Sequence, residues 1–187
     1  ICPDTARMYP DFARARYRML GKCSDDAVCE MLSAAGSALC VLNSRKGVRS
    51  YYEALKGDGV FHLSTYMTPA HLGQSIETVR ERLKRGEKCL VVSTSLIEAG
   101  VDVDFPTVFR EMAGLDSIIQ AGGRCNREGR RKADESNVYV FSRETPSERF
   151  SAVSAMTERI CELYGDISLP EAIHAYFERL YTVSPSE

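Results

Sequence analysis

At 187 residues the chain can hold one full domain plus a short appendage, and it is long enough to bury a sizeable core. Its 44% hydrophobic and 27% charged content is that of an ordinary soluble globular protein, and nothing in the net charge of −2 points to nucleic acid, although a few donors along one edge would suffice to bind it. The longest apolar runs reach only five residues, which excludes a spanning helix, while seven scattered cysteines without C-x-x-C pairs argue against a disulfide framework or zinc site.

The start, Ile1-Cys2-Pro3-Asp4, has no initiator Met and no signal-peptide layout, and reads as a cut inside a longer polypeptide. A first strand is expected at Arg16–Leu20, ending at Gly21. Ser24 then caps a helix with Val28, Met31, Leu32 and Ala35 on one face, closed by Gly36. Ala38–Leu42 forms the next strand, followed by a helix through Tyr51, Tyr52 and Leu55 to Gly57. Val60–Leu63 is a third strand. Thr68-Pro69 opens the clearest helix, with Leu72, Ile76, Val79 and Leu83 on one face and Gly86 at its end. Its cations Arg80, Arg82, Lys84 and Arg85 read as a solvated face, offset by Glu77 and Glu81.

Cys89–Val92 is apolar throughout, as a strand buried on both faces must be. Thr107–Arg110 and Val138–Phe141 complete the strands. After Arg143 the pattern changes to two helices, one opened by Thr145-Pro146 and one by Ser168 with capping-box spacing to Glu171. Ile173, Tyr176, Phe177 and Leu180 make an apolar stripe on the second. Strands alternating with helices predict a mostly parallel sheet flanked by helices, residues 1–143, with a helical extension over 144–187.

The sharpest motif is Gln120-Ala121-Gly122-Gly123-Arg124-Cys125-Asn126-Arg127, a Q-x-x-G-R-x-x-R pattern. With Asp116 as N-cap, Gln120, Arg124 and Arg127 would fall on successive turns of one short helix, and two guanidinium forks could address one phosphate. Such charge stabilisation contributes roughly 10³–10⁵ in phosphoryl-transfer rate, about 4–7 kcal/mol. By itself the octapeptide could equally form a solvated basic face with Arg130 and Arg131.

Upstream lies Ser93-Thr94-Ser95-Leu96-Ile97-Glu98-Ala99-Gly100-Val101-Asp102, at the end of the buried strand, where open parallel sheets bind ligands. Thr94 could offer its hydroxyl and N–H to a phosphodiester, Gly100 permits a close turn, and Asp102 could accept from a ribose hydroxyl or help bridge two lobes. Read singly, Gly100 is a turn glycine and Asp102 a loop acid.

Together, in this order, these residues resemble motifs V and VI of superfamily 2 helicases. More narrowly, the run Ser93–Asp102 with Gly123-Arg124-Cys125-Asn126-Arg127-Glu128-Gly129 is similar to the CRISPR-associated helicase–nuclease of type I systems. Counterparts of Leu63–His71 and Val41–Lys46 occur in that family, and Ala172–Tyr181 adds a weaker match.

The resemblance implies a RecA-like second lobe of an ATP-dependent, 3′–5′ single-stranded-DNA translocase in antiviral defence. It implies that Arg124 and Arg127, beside Gln120, reach the γ-phosphate of ATP, whose Mg²⁺ complex is held mainly by a first lobe. Gly100, Asp102 and Gly123 would line the nucleotide cleft. Thr94, Ser64, Thr65, Asn43, Ser44 and Arg45 would touch the backbone of a single strand, contacts blind to sequence. The implied partners are that first lobe, a nuclease domain of the same polypeptide and a CRISPR surveillance complex, in a prokaryotic cytoplasm with no membrane.

Ala121-Gly122 stands where this family usually has Arg-Ala; the second glycine costs about 1 kcal/mol of helix stability. No G-x-x-x-x-G-K-[ST] loop and no D-E-x-H box occurs. The chain alone is therefore expected to bind ATP weakly and hydrolyse none. His62, His71 and His174 share no ligand spacing, Cys125 reads as packing, and Tyr51-Tyr52 as core and surface filler. The other readings are an RNA or different superfamily 2 helicase lobe and a non-catalytic RecA-like interaction module.

Overall fold

A computed structural model describes residues 13–98, 101–144 and 151–183. Six strands form one sheet: β1 (Arg16–Cys23), β2 (Ser37–Val41), β3 (Val60–Leu63), β4 (Cys89–Ser93), β5 (Thr107–Glu111) and β6 (Asn137–Arg143). Their order is β1-β6-β5-β2-β4-β3, and every neighbouring pair is parallel. Six helices surround them: α1 (Asp25–Ala35), α2 (Arg45–Leu55), α3 (Pro69–Arg85), α4 (Leu115–Gly122), α5 (Ser151–Tyr164) and α6 (Pro170–Val183).

Strand alternation sorts the apolar residues onto two faces. Leu39, Val41, Val91, Val108, Val138 and Val140 point to one, where Val79 of α3, Ile118 of α4, Ile160 of α5 and Tyr176 of α6 pack. Ala38, Cys40, Leu90, Val92, Phe109 and Phe141 point to the other, under Val28 and Leu32 of α1 and Val48 and Tyr51 of α2. The central strands are apolar on both faces because helices cover both. The helices after Arg143 share the sheet's own core: Ile160, Ile167, Ala172 and Tyr176 are all buried in it.

Capping chemistry sets most boundaries. Ser24 Oγ accepts from Ala27 N at 3.3 Å, and Thr68 Oγ1 accepts from His71 N at 3.3 Å with Pro69 following. Gly86, left-handed, closes α3 by donating to Arg82 and Leu83 carbonyls.

Several expectations are corrected. β1 runs on past Gly21 to Cys23, across a register shift between Met19 and Gly21. Gly114, not Asp116, is the N-cap of α4, and Asp116 Oδ1 instead accepts from the Tyr176 hydroxyl at 3.3 Å. Ser168 does not cap α6: its N–H and its hydroxyl both donate to Asp166 Oδ1, and the helix starts at Pro170. The expected helix opening at Thr145-Pro146 lies outside the described residues. The cations of α3 are not simply solvated. Arg82 spans Asp58 at 2.6 Å and the Lys88 carbonyl at 3.1 Å, and Arg80 Nε donates to the Asp102 carbonyl at 2.7 Å.

No helix among the described residues is long and apolar enough to cross a membrane.

Candidate nucleic-acid groove and arginine pair

The strand order places β2, β4 and β3 side by side, so their C-terminal exits are adjacent. There the chain gathers Asn43, Ser44 and Arg45 after β2, Ser64 and Thr65 after β3, and Thr94 after β4, around one cavity of about 970 Å³. All six residues expected to touch a strand backbone therefore line one groove, at the edge where parallel sheets bind ligands. Lys46, Arg49, Tyr52, His62, Tyr66 and Ser95 join them. The only carboxylate among the described lining residues, Glu53, is paired with Lys56 at 2.9 Å.

The six differ in what they can offer. Arg45 and Thr65 are exposed, and the Arg45 guanidinium lies over the Tyr66 ring at 4.3 Å. Ser44 Oγ caps α2 by accepting from Gly47 N at 3.0 Å. Thr94 cannot offer its N–H, which donates to the Leu63 carbonyl at 3.4 Å, but its buried Oγ1 has no hydrogen-bond partner among the described residues.

Asn43 is anchored from three directions. Its N–H donates to Glu111 Oε2 at 2.7 Å, its Nδ2 to the Met112 carbonyl at 2.7 Å, and its Oδ1 accepts from Arg110 Nη1 at 2.7 Å. The side chain bolts the β2 exit to the end of β5, and keeps one Nδ2 N–H and one Oδ1 lone pair for a ligand.

The Q-x-x-G-R-x-x-R residues also rearrange. Only Gln120 lies on a helix, exposed on α4, which stops at Gly122; Gly123 is its C-cap and exposed. Arg124 and Arg127 follow in a turn where Cys125 bridges Phe105, two residues before β5 begins. They sit beside the N-terminal end of β5, not on the rim that carries the groove. Arg127 is in an exposed ion pair within the chain, and Arg124 bonds to backbone carbonyls. Arg124 is buried, with Nε donating to the Ile97 carbonyl at 3.2 Å and Nη2 to the Glu98 carbonyl at 2.5 Å. Arg127 is 43% exposed in its side chain, and its Nε meets Asp102 Oδ1 at 2.7 Å.

Burial lowers the pKa of Arg124, and the neighbouring Arg127 charge lowers it further, against Asp102 and Glu98. Asp104 frames the turn, accepting from Arg127 N at 2.7 Å and Arg131 Nη1 at 3.0 Å. Gly100 lies outside the described residues.

Gly122, the departure from the family's usual Arg-Ala, has a local cause. A Cβ there would come within 2.8 Å of Tyr17 Cζ and closer still to its hydroxyl. Tyr17 of β1 occupies the space a side chain would need.

A buried ionic network that no local spacing signals joins β5 to the loop after β4. Arg110 and Glu98, each nearly inaccessible, face each other at 3.1 Å in an alignment that brings charges together without a directed hydrogen bond. Glu98 Oε2 accepts from the Ser117 hydroxyl at 3.2 Å, and burial holds the Glu98 carboxyl above its usual range despite Arg110. Cys125, buried and expected as packing, has its thiol pushed up to about 12, first by desolvation.

Residues 34–130 match the family model described as CRISPR-associated nuclease/helicase Cas3, C-terminal, over more than half of the chain. The chain belongs to this family. A Cas3 of Haloferax volcanii is 49% identical over 59 residues, 32% of this chain and 6% of that protein. Another, of Methanothermobacter thermautotrophicus, is 30% identical over 106 residues, 56% of this chain and 13% of that protein. The chain thus spans a small part of these Cas3 relatives. Among solved structures, T. fusca Cas3 with ATP superposes with a TM-score of 0.72 at 14% identity, over 91% of this chain and 24% of that one. The C-terminal domain of the DEAD-box protein Dbp5 gives 0.59 at 13%, over 82% and 87%. At such identities the likeness is one of fold, and that fold is the RecA-like lobe of helicases.

Proposed function

We propose that residues 1–143 are the second RecA-like lobe of an ATP-driven helicase that moves 3′–5′ along single-stranded DNA in CRISPR antiviral defence, with residues 144–187 a helical extension. A first lobe and a nuclease domain of the same polypeptide, and a surveillance complex that delivers the DNA, would be its partners. The observation that carries this reading is the groove: cations, hydroxyls and an unpartnered Thr94 Oγ1 converge at the exits of three adjacent parallel strands. Arg45, Lys46 and Arg49 supply charge to phosphates, while Ser64, Thr65 and Thr94 supply short polar contacts; such a set grips a backbone without reading bases.

The arginine pair serves the other substrate. ATP with Mg²⁺ would supply the phosphoryl group and be held mainly by the first lobe; among the described residues no cluster of three or more acidic, His or Cys side chains could hold a metal. On this chain, Arg127 exchanges Asp102 for the γ-phosphate, and Asp102 is freed to accept from a ribose hydroxyl. Arg124, fixed by two carbonyls, presents a preset charge beside it, with Gln120 and Gly123 near the same cleft.

Unwinding by the helicase that carries this lobe tests the reading, using 3′-tailed DNA, 5′-tailed DNA and RNA duplexes. ATP-dependent separation of the 3′-tailed DNA alone is expected. Preference for RNA would assign the lobe to another helicase class, and ATPase that persists without Arg124 and Arg127 would leave only a docking module.

A further inference from the structure

One feature of the groove does not belong to backbone gripping. Tyr66 follows β3 and is 75% exposed, an unusual state for a large aromatic residue on a lobe whose other groove aromatic, Tyr52, is half-buried with its ring 4.8 Å from that of His62. One face of the Tyr66 ring is taken by the Arg45 guanidinium at 4.3 Å. With 75% of the residue still open, the opposite face is free. Hydroxyls of Thr65 and Thr94 and the cations Lys46 and Arg49 line the same cavity.

We propose that Tyr66 is a stacking platform for one nucleobase of the bound strand, held in orientation by Arg45 on its far face. This rests on the reading of the groove as a single-strand site and adds a base contact to it. A planar base is the ligand whose shape and π-face match an exposed phenol ring, and every base has such a face, so the contact is tolerant of sequence. Arg45 has two roles that are geometrically compatible. Its plane lies on the ring by cation–π attraction, and its N–H edge remains free to meet the phosphate of the stacked nucleotide. The stack runs guanidinium, phenol, base, so the nucleotide is fixed by its phosphate and its base at once. Tyr52 cannot serve instead, because its ring already leans on His62.

The test uses the purified chain at low salt and two fluorescent oligomers of equal length, oligothymidylate and the same backbone with abasic sites. The unaltered chain should bind oligothymidylate about five-fold or more tighter than the abasic strand. Tyr66→Ala should erase that difference while keeping the abasic affinity, and Tyr66→Phe should retain it. Circular dichroism of each variant establishes that the fold is unchanged; Tyr66 is exposed, so it should be. Equal affinity of the unaltered chain for both strands, or discrimination that survives Tyr66→Ala, would overturn the platform while leaving the groove. Failure to bind either strand would overturn the groove and the platform together.

Discussion

Arg110 of β5 is joined to Asn43, two residues past β2 and in the groove lining: Arg110 Nη1 donates to Asn43 Oδ1 at 2.7 Å. Arg110 also faces Glu98, whose carbonyl holds Arg124. A charge is thus buried near the end of β5, linked through Asn43 to the exit of β2 and through Glu98 to Arg124.

Removing one partner leaves the other stranded. Arg110→Ala should cost about 3–5 kcal/mol, because the Glu98 carboxylate would remain buried without a counter-charge. Asn43→Ala should cost about 1–3 kcal/mol through unsatisfied hydrogen-bond groups. Urea unfolding of the chain measures both. A loss below about 1 kcal/mol for Arg110→Ala would mean the network is wet and weak.

The pair Asp25–Arg143 gives a pH signature. Arg143 donates to both Asp25 oxygens, at 2.8 and 2.5 Å, and these bonds hold the Asp25 carboxyl below its usual 3.8, against partial desolvation. A carboxyl with a lowered folded pKa stabilises the fold above the unfolded value, and that contribution fades as pH falls through the folded one. The gap in urea midpoint between the unaltered chain and Asp25→Asn should be full above about pH 4 and shrink below pH 3.8. A gap that is constant from pH 6 to pH 3 would contradict it.

Arg45 should show its charge in the salt dependence of strand binding. Arg45→Ala is expected to lower the slope of log affinity against log salt by about 0.7 for a single strand. Ser44→Ala should act on stability, losing about 1 kcal/mol with the cap of α2. An unchanged slope in Arg45→Ala would remove that phosphate contact.

Gly122 and Tyr17 should be coupled. Gly122→Ala is expected to destabilise the chain by about 1–3 kcal/mol through crowding against the Tyr17 ring. In a Tyr17→Ala background the same change should be neutral or stabilising, because alanine is then the better helix residue. Equal effects in both backgrounds would show that Tyr17 yields freely.

Much of this architecture is legible in the sequence because local rules agree with the fold. Val60–Leu63 is read to the residue, and Thr68-Pro69 and Gly86 bracket α3, since cap, proline and apolar spacing all act within one turn. The groove residues were found through motif likeness, and strand order, not spacing, brings them together. What escaped depends on distant partners. Arg110 sits in an apolar strand, and its contacts with Glu98 and Asn43 explain its burial; those same contacts anchor Asn43. Asp166 captures Ser168 before it can cap, and Tyr17 fixes where α4 must carry a glycine. Tyr66 carried a signal that could have been used, an aromatic residue beside Ser64-Thr65 at a strand exit.

The account stands most directly on Arg127, whose exposed pairing with Asp102 can be removed at little cost to the fold. Single-turnover ATP hydrolysis should be measured on the helicase carrying this lobe, with and without Arg127→Ala, at saturating single-stranded DNA. A rate lower by about 10³-fold or more, with ATP affinity little altered, is expected. A rate within ten-fold of the unaltered enzyme would contradict it.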